Sequence, residues 1–217
     1  MADGLLQRLK LLPALLLACG ATVYCAWQGS ALFRADLLSA PARQNVDDWD
    51  RLGKGWTVQE WQATRAALQA ALKLTPHDPV QHLTLAQLYV TQGLVAWADL
   101  PQREAFFEEA LMHQQEALRL RPQDGRAWSQ AAVSLFALRR PIPELQSAWM
   151  QARRFAPREA PVQRALVDLA IATWDTATPD MRGWVLQTWQ EASPSAKATY
   201  EDDAKRRGQE AVFKAIP

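Results

Sequence analysis

Few side chains in this sequence could do covalent chemistry. The histidines are His77, His82 and His113, and none stands in an HExxH or similar metal-binding pair. The two cysteines, Cys19 and Cys25, both fall inside the first apolar run. The rest of the chain can therefore form neither a disulfide framework nor a thiolate metal site. No Gly-x-Gly-x-x-Gly, phosphate-binding loop or Gly-x-Ser-x-Gly occurs. The acidic runs Glu108-Glu109 and Glu201-Asp202-Asp203 could supply the paired carboxylates of glycoside hydrolysis. Both lie in helical patterns, where solvated faces are the commoner use. His82 stands where a helical repeat often places a packing aromatic, and His77 lies in a turn beside Asp78. These residues lead us to expect a non-enzymatic protein, with no catalytic residue, metal or cofactor.

Ten tryptophans are many for 217 residues. Trp97, Trp149, Trp174, Trp184 and Trp189 could stack on sugar rings, although core packing is the expected role of most, because indole buries a large apolar area. The formal net charge of +1 gives no bulk attraction for nucleic acid. The basic pairs Arg139-Arg140, Arg153-Arg154 and Arg206-Arg207 read as solvated helix faces or last turns.

The elements that must position these residues begin with Leu11–Phe33, which contains no Asp, Glu, Lys or Arg. At about 1.5 Å per residue it reaches roughly 34 Å, enough for a hydrocarbon core of about 30 Å. Pro13 and Gly20 are tolerated in a membrane helix, and Tyr24 and Trp27 suit an interfacial belt. A cleaved signal peptide would have a shorter apolar core. Leu16-Leu17-Ala18-Cys19 is a loose lipobox, but cleavage there would leave Gly20–Phe33 as a purposeless apolar stretch. A buried core helix of this length is unusual, so a signal anchor is the expectation. Arg8 and Lys10 precede the span, and Asp36, Asp47, Asp48 and Asp50 follow it with Arg34 and Arg43. The positive-inside rule then keeps the amino terminus cytoplasmic and, in a two-membrane bacterium, puts the remainder in the periplasm.

Residues 34–55, with Pro41, an acidic patch, Gly53 and Gly55, read as a juxtamembrane linker with room for a short helix. Thr57 and Glu60 form a capping-box pattern. From Val58 onward apolar residues recur at helical spacing, through Trp61, Leu68, Ala71 and Leu72, with Thr64 filling the one gap. Prolines at 76, 79, 101, 122, 141, 143 and 157 punctuate further helices; Asp78 and Thr178 are placed to cap, Asp124 or Gly125 starts the helix after Pro122, and Ser193 or Ser195 opens the last one. No run of period two appears.

The phrase Ala117-Leu118-Arg119-Leu120-Arg121-Pro122-Gln123-Asp124-Gly125-Arg126-Ala127-Trp128 ends one helix and starts the next. Weaker versions surround Pro76 and Pro157, and Pro122 and Pro157 lie 35 residues apart. That is close to the tetratricopeptide period of about 34. Pro76 and Pro122 lie 46 apart, which requires an insertion near Gly93–Gln102. Trp128-x2-Ala131-Ala132 and His82-x2-Leu85-Ala86-x2-Tyr89 fit the first-helix pattern, and Ala110 and Ala117 fit the small second-helix positions. The expected fold is all-α: an N-terminal transmembrane helix followed by a degenerate tetratricopeptide-like α-α superhelix. Its expected divisions are a tail at 1–10, an anchor at 11–33, a linker at 34–55, a repeat domain at 56–192 and a C-terminal helix or tail at 193–217. Repeat arrays recognise proteins through first-helix side chains, which makes Gln87, Arg126, Ser129, Arg164 and Asp168 the candidate partner groove.

Arg119-Leu120-Arg121-Pro122 with Ala127-Trp128, then Phe155-Ala156-Pro157, Val162-Gln163 and Asp168-Leu169-Ala170-x-Ala172-x-Trp174, resembles the VpsP-type polysaccharide biosynthesis proteins. These are bacterial single-pass membrane proteins with tetratricopeptide-like domains, and the likeness covers roughly Trp61–Trp189. The Arg139–Pro143 turn departs from it. The resemblance implies an accessory role in exopolysaccharide or capsule production, with protein partners in an envelope polysaccharide machine. It supplies no catalytic residues. The alternatives are an assembly factor for another envelope system (secretion, pilus or cytochrome maturation) and a glycan-binding protein that uses its tryptophans.

Overall fold

The computed structural model describes residues 2–96 and 99–214, with side chains for 16–50, 53–96 and 99–213. Trp97 and Pro217 lie outside the described residues, and Arg8 and Lys10 outside the described side chains. Among the described residues there are ten α-helices and no strand. They are α1 (Ala2–Leu52), α2 (Val58–Leu74), α3 (Pro79–Val95), α4 (Leu100–Leu120), α5 (Gly125–Ala137), α6 (Ile142–Phe155), α7 (Ala160–Ala172), α8 (Pro179–Glu191), α9 (Pro194–Arg206) and α10 (Ala211–Lys214). A 3-10 turn at Trp174–Thr176 joins α7 to α8. The chain is all-α, as the spacing of apolar residues requires.

Helix starts follow the local chemistry. Glu60 N–H donates to Thr57 Oγ1 at 3.2 Å while Thr57 N–H donates to Glu60 Oε2 at 2.7 Å, completing the capping box. The Thr57 backbone N–H first, and the Thr57 hydroxyl donating to the same oxygen second, hold the Glu60 carboxyl below its ordinary pKa. Asp78 caps α3 through Val80 N–H, Asp124 caps α5 through Arg126 and Ala127, Thr178 caps α8 through Met181, and Ser193 caps α9 through Ala196. Each cap satisfies amides that have no partner inside the helix.

The chain divides into two compact units, residues 1–81 and 82–217. In the first, α1 runs unbroken through the stretch expected to be a linker, as far as Leu52. Residues 34–52 are therefore helix, and only 53–57 connect α1 to α2. The cause is a seam of buried residues, Ala31, Ala35, Ser39, Ala42, Val46 and Trp49, recurring every three or four positions on one side of α1. In the same unit, α2 buries Trp61, Thr64, Leu68 and Ala71 and packs on α1. Val58, expected on the apolar face, is exposed instead. Asn45 donates to Thr64 Oγ1 at 3.2 Å, Gln81 donates to Ser39 Oγ at 2.8 Å, and Trp49 stacks on Trp56 at 5.3 Å. Pro41 costs the helix one backbone bond, and packing along the seam offsets it. Gly53, at φ 61°, ends α1 in the left-handed conformation that glycine accepts without strain. Within Leu16–Asp50, α1 contains a window of mean hydropathy 1.3, long and apolar enough to cross a membrane.

In the second unit, α5 packs on α4, α6 and α7, and α7 packs in turn on α8 and α9. Each first helix of a hairpin thus meets both its own partner and the first helix of the next hairpin. Trp149 is the largest fully buried side chain, and its indole N–H donates to the Leu166 carbonyl at 2.8 Å. The core includes Leu145, Leu166, Ile171 and Met181, and it extends to Tyr200, Ala204, Val212 and Phe213. Residues 193–213 are thus part of the packed unit, and packing places no boundary at 192. Gly125 lies so close to the end of α6 that an added Cβ would come within 2.4 Å of Ala156 Cβ and 2.8 Å of Ala156 N. That approach closes the α5–α6 hairpin.

Candidate partner surface

The α4–α5 and α6–α7 turns share one construction. After Pro122, Trp128 donates its indole N–H to the Pro122 carbonyl at 2.9 Å. After Pro157, Gln163 donates its amide to the Pro157 carbonyl at 2.8 Å. Different side chains thus make the same bond across six residues, and both turns aim their following helices alike. In consequence α5, α7 and α9 are successive first helices. Side-chain bonds tie neighbours in this row. Gln130 on α5 donates to Gln87 Oε1 on α3 at 2.9 Å, and Arg207 after α9 donates to Asp168 on α7 at 2.8 Å.

The five candidate groove residues do not form one set. Arg164 is exposed on α7, and Arg126 is exposed at the start of α5. Arg126 Nε lies 2.5 Å from Glu159 Oε2, and this pair holds the guanidinium more firmly in its charged form. It borders an open hollow of about 670 Å³ with Arg121, Asp124 and Phe155. Gln87 and Asp168 are half-buried and bonded within the row. Ser129 is 5% exposed, and its hydroxyl donates to the Arg126 carbonyl at 2.9 Å. Ser129 is therefore withdrawn from the surface. The repeat pattern had placed it outward, but the close approach of α5 to its neighbours turns it inward. Gln130, Glu159 and Arg207 belong to the row and were missed. Their partners stand 33 to 43 residues away, beyond what local spacing can reveal.

The described tryptophans that could stack on sugars already have partners. Trp149 is buried. Arg182 lies over Trp174 at 5.5 Å, Arg153 over Trp184 at 5.9 Å and Lys197 over Trp189 at 4.9 Å. Phe213 also stacks on Trp189 at 5.4 Å. Such cation and ring contacts stabilise the fold.

A second polar arrangement lies inside the α3–α4 hairpin. His82 Nδ1 and His113 Nδ1 are 3.0 Å apart, so one proton serves both nitrogens. The Tyr89 ring stacks on His113 at 6.0 Å and 9°. Burial first, and the neighbouring His82 second, push His113 down to about 4. Gln114, fully buried on α4, has both amide atoms without a hydrogen-bond partner. His82 and His113 thus interact with each other, and no group of three His, Cys, Asp or Glu side chains able to hold a metal occurs among the described residues. Burial also pushes the Tyr200 phenol up, with Arg164 pulling against it.

Neither a protein-family model nor a curated protein matches this sequence.

Proposed function

We propose that this protein is a membrane-anchored, non-enzymatic scaffold whose helical hairpins hold a protein partner of an envelope polysaccharide machine. The observation that carries the anchoring half is the continuity of α1, in which the apolar segment and the first packed hairpin share one helix. A scaffold gains from that joint, because the hairpin cannot swivel on a flexible tether. The row of first helices supports the binding half. It presents Arg126 and Arg164 beside half-buried polar groups, a surface suited to an acidic or polar segment of protein. The polysaccharide assignment follows from the resemblance of the Arg119–Trp128 and Asp168–Trp174 phrases. A strain lacking the gene tests it. Reduced surface polysaccharide with normal secretion is the expected outcome, and normal polysaccharide with defective secretion would contradict it. A reporter fused after Pro217 tests the topology, with periplasmic activity expected.

A further inference from the structure

We propose that the first hairpin is seated on the outer headgroup layer of the bilayer, through the side of α1 that faces away from α2. This rests on the reading of α1 as a membrane anchor. Between positions 31 and 38 the helix has two characters. Ala31 and Ala35 are buried in the seam of the first unit, while Leu32, Phe33, Leu37 and Leu38 are exposed. Phe33 is 65% exposed and Leu37 59%, close to the 69% of Val23 and 61% of Trp27 within the apolar segment. An apolar surface is thus continuous from that segment past its last uncharged residue.

Length decides what covers it. Leu11 to Leu38 extends about 42 Å, too long for a hydrocarbon core of about 30 Å but matched to the 40–45 Å of a bilayer with its headgroups. Charge points the same way. Asp36, the one acidic residue in these turns, is paired with Arg43 at 2.5 Å. Arg34 is exposed at the same level and can meet lipid phosphate. The acidic positions Asp47, Asp48 and Asp50 come about 21 Å or more beyond Phe33, clear of an anionic surface. The opposite side of α1 changes from Phe33, Leu37 and Ala40 to Gln44, Asp47 and Asp48 over the same distance. The Gln81–Ser39 bond holds the first turn of α3 beside Leu38, so the exposed Val80 belongs to the same layer.

The test uses the full chain in vesicles of phosphatidylethanolamine and phosphatidylglycerol, with Cys19→Ala and Cys25→Ala removing the native thiols. Single nitroxide labels are attached through Val23→Cys, Phe33→Cys, Leu37→Cys or Asp48→Cys, and collisions with oxygen and with a water-soluble nickel chelate are measured. The expected result is nickel access at 33 and 37 several-fold lower than at 48 but above that at 23, with oxygen access between those at 48 and 23. Nickel access at 33 and 37 equal to that at 48, with 23 still in lipid, would overturn the seating and leave the anchor intact. Nickel access at 23 would overturn the anchor and the seating together. Shielding of 33 and 37 from both reagents would replace lipid with a protein contact and also overturn the proposal.

Discussion

The α5–α6 and α3–α4 hairpins are both pairs of packed helices, filled differently. The α5–α6 hairpin is mainly apolar, with Trp149, Leu145 and Ala152 buried and the indole N–H satisfied by Leu166, although Ser134 is fully buried with its hydroxyl lacking a partner. The α3–α4 hairpin carries His82, His113 and Gln114 in its interior, with the Gln114 amide lacking any partner. Turn chemistry and small residues at close approaches therefore set hairpin geometry, while interior polarity is chosen separately. The α5–α6 hairpin should be insensitive to pH and intolerant of lost volume. The α3–α4 hairpin should lose stability on acidification.

Four variants sharpen that contrast, each measured by urea unfolding of the full chain in detergent micelles and followed by circular dichroism. Trp149→Ala should destabilise the second unit most, by about 3–5 kcal/mol, because it empties the core and strips the Leu166 carbonyl of its donor. Gly125→Ala should follow at about 1–3 kcal/mol, since the new methyl meets the Ala156 backbone, which cannot move without opening the hairpin. The third effect is acid sensitivity. The folded value of His113, about 4, lies below its ordinary 6.5, so the unfolded chain binds more protons between those limits. Stability should be complete above pH 6.5 and fall on acidification toward pH 4, by on the order of 2 kcal/mol. His113→Asn keeps a polar group near His82 and should flatten that profile, whereas Trp149→Ala should leave its slope unchanged. The smallest effect has the opposite sign. Gln114→Met should stabilise by about 1 kcal/mol, because it removes two unsatisfied polar atoms from the interior. A loss of stability there would mean that the amide is satisfied by buried water.

The sequence showed local features well and distant ones poorly. Thr57, Asp78 and Thr178 cap the helices they were expected to cap, and of the paired candidates Asp124 and Ser193 are the caps, because a cap depends on residues two or three positions away. The Pro122 joint was legible for the same reason. Residues 34–52 were misread because Pro41 and the acids outweighed a seam of Ala and Ser, which look unlike core residues until packed. Ser129 was misplaced by roughly the angle that separates it from Gln130, one residue along the helix. The His82–His113 contact spans 31 residues and two helices, so no motif could announce it.

The central claim is that the row of first helices holds a protein partner. A photoreactive residue replacing Arg126 or Arg164, compared with one replacing the exposed Met150 on α6, tests it in native membranes. One protein adduct common to the Arg126 and Arg164 positions and absent at Met150 is the expected result. No adduct at either arginine, or the same adduct at all three positions, would contradict it.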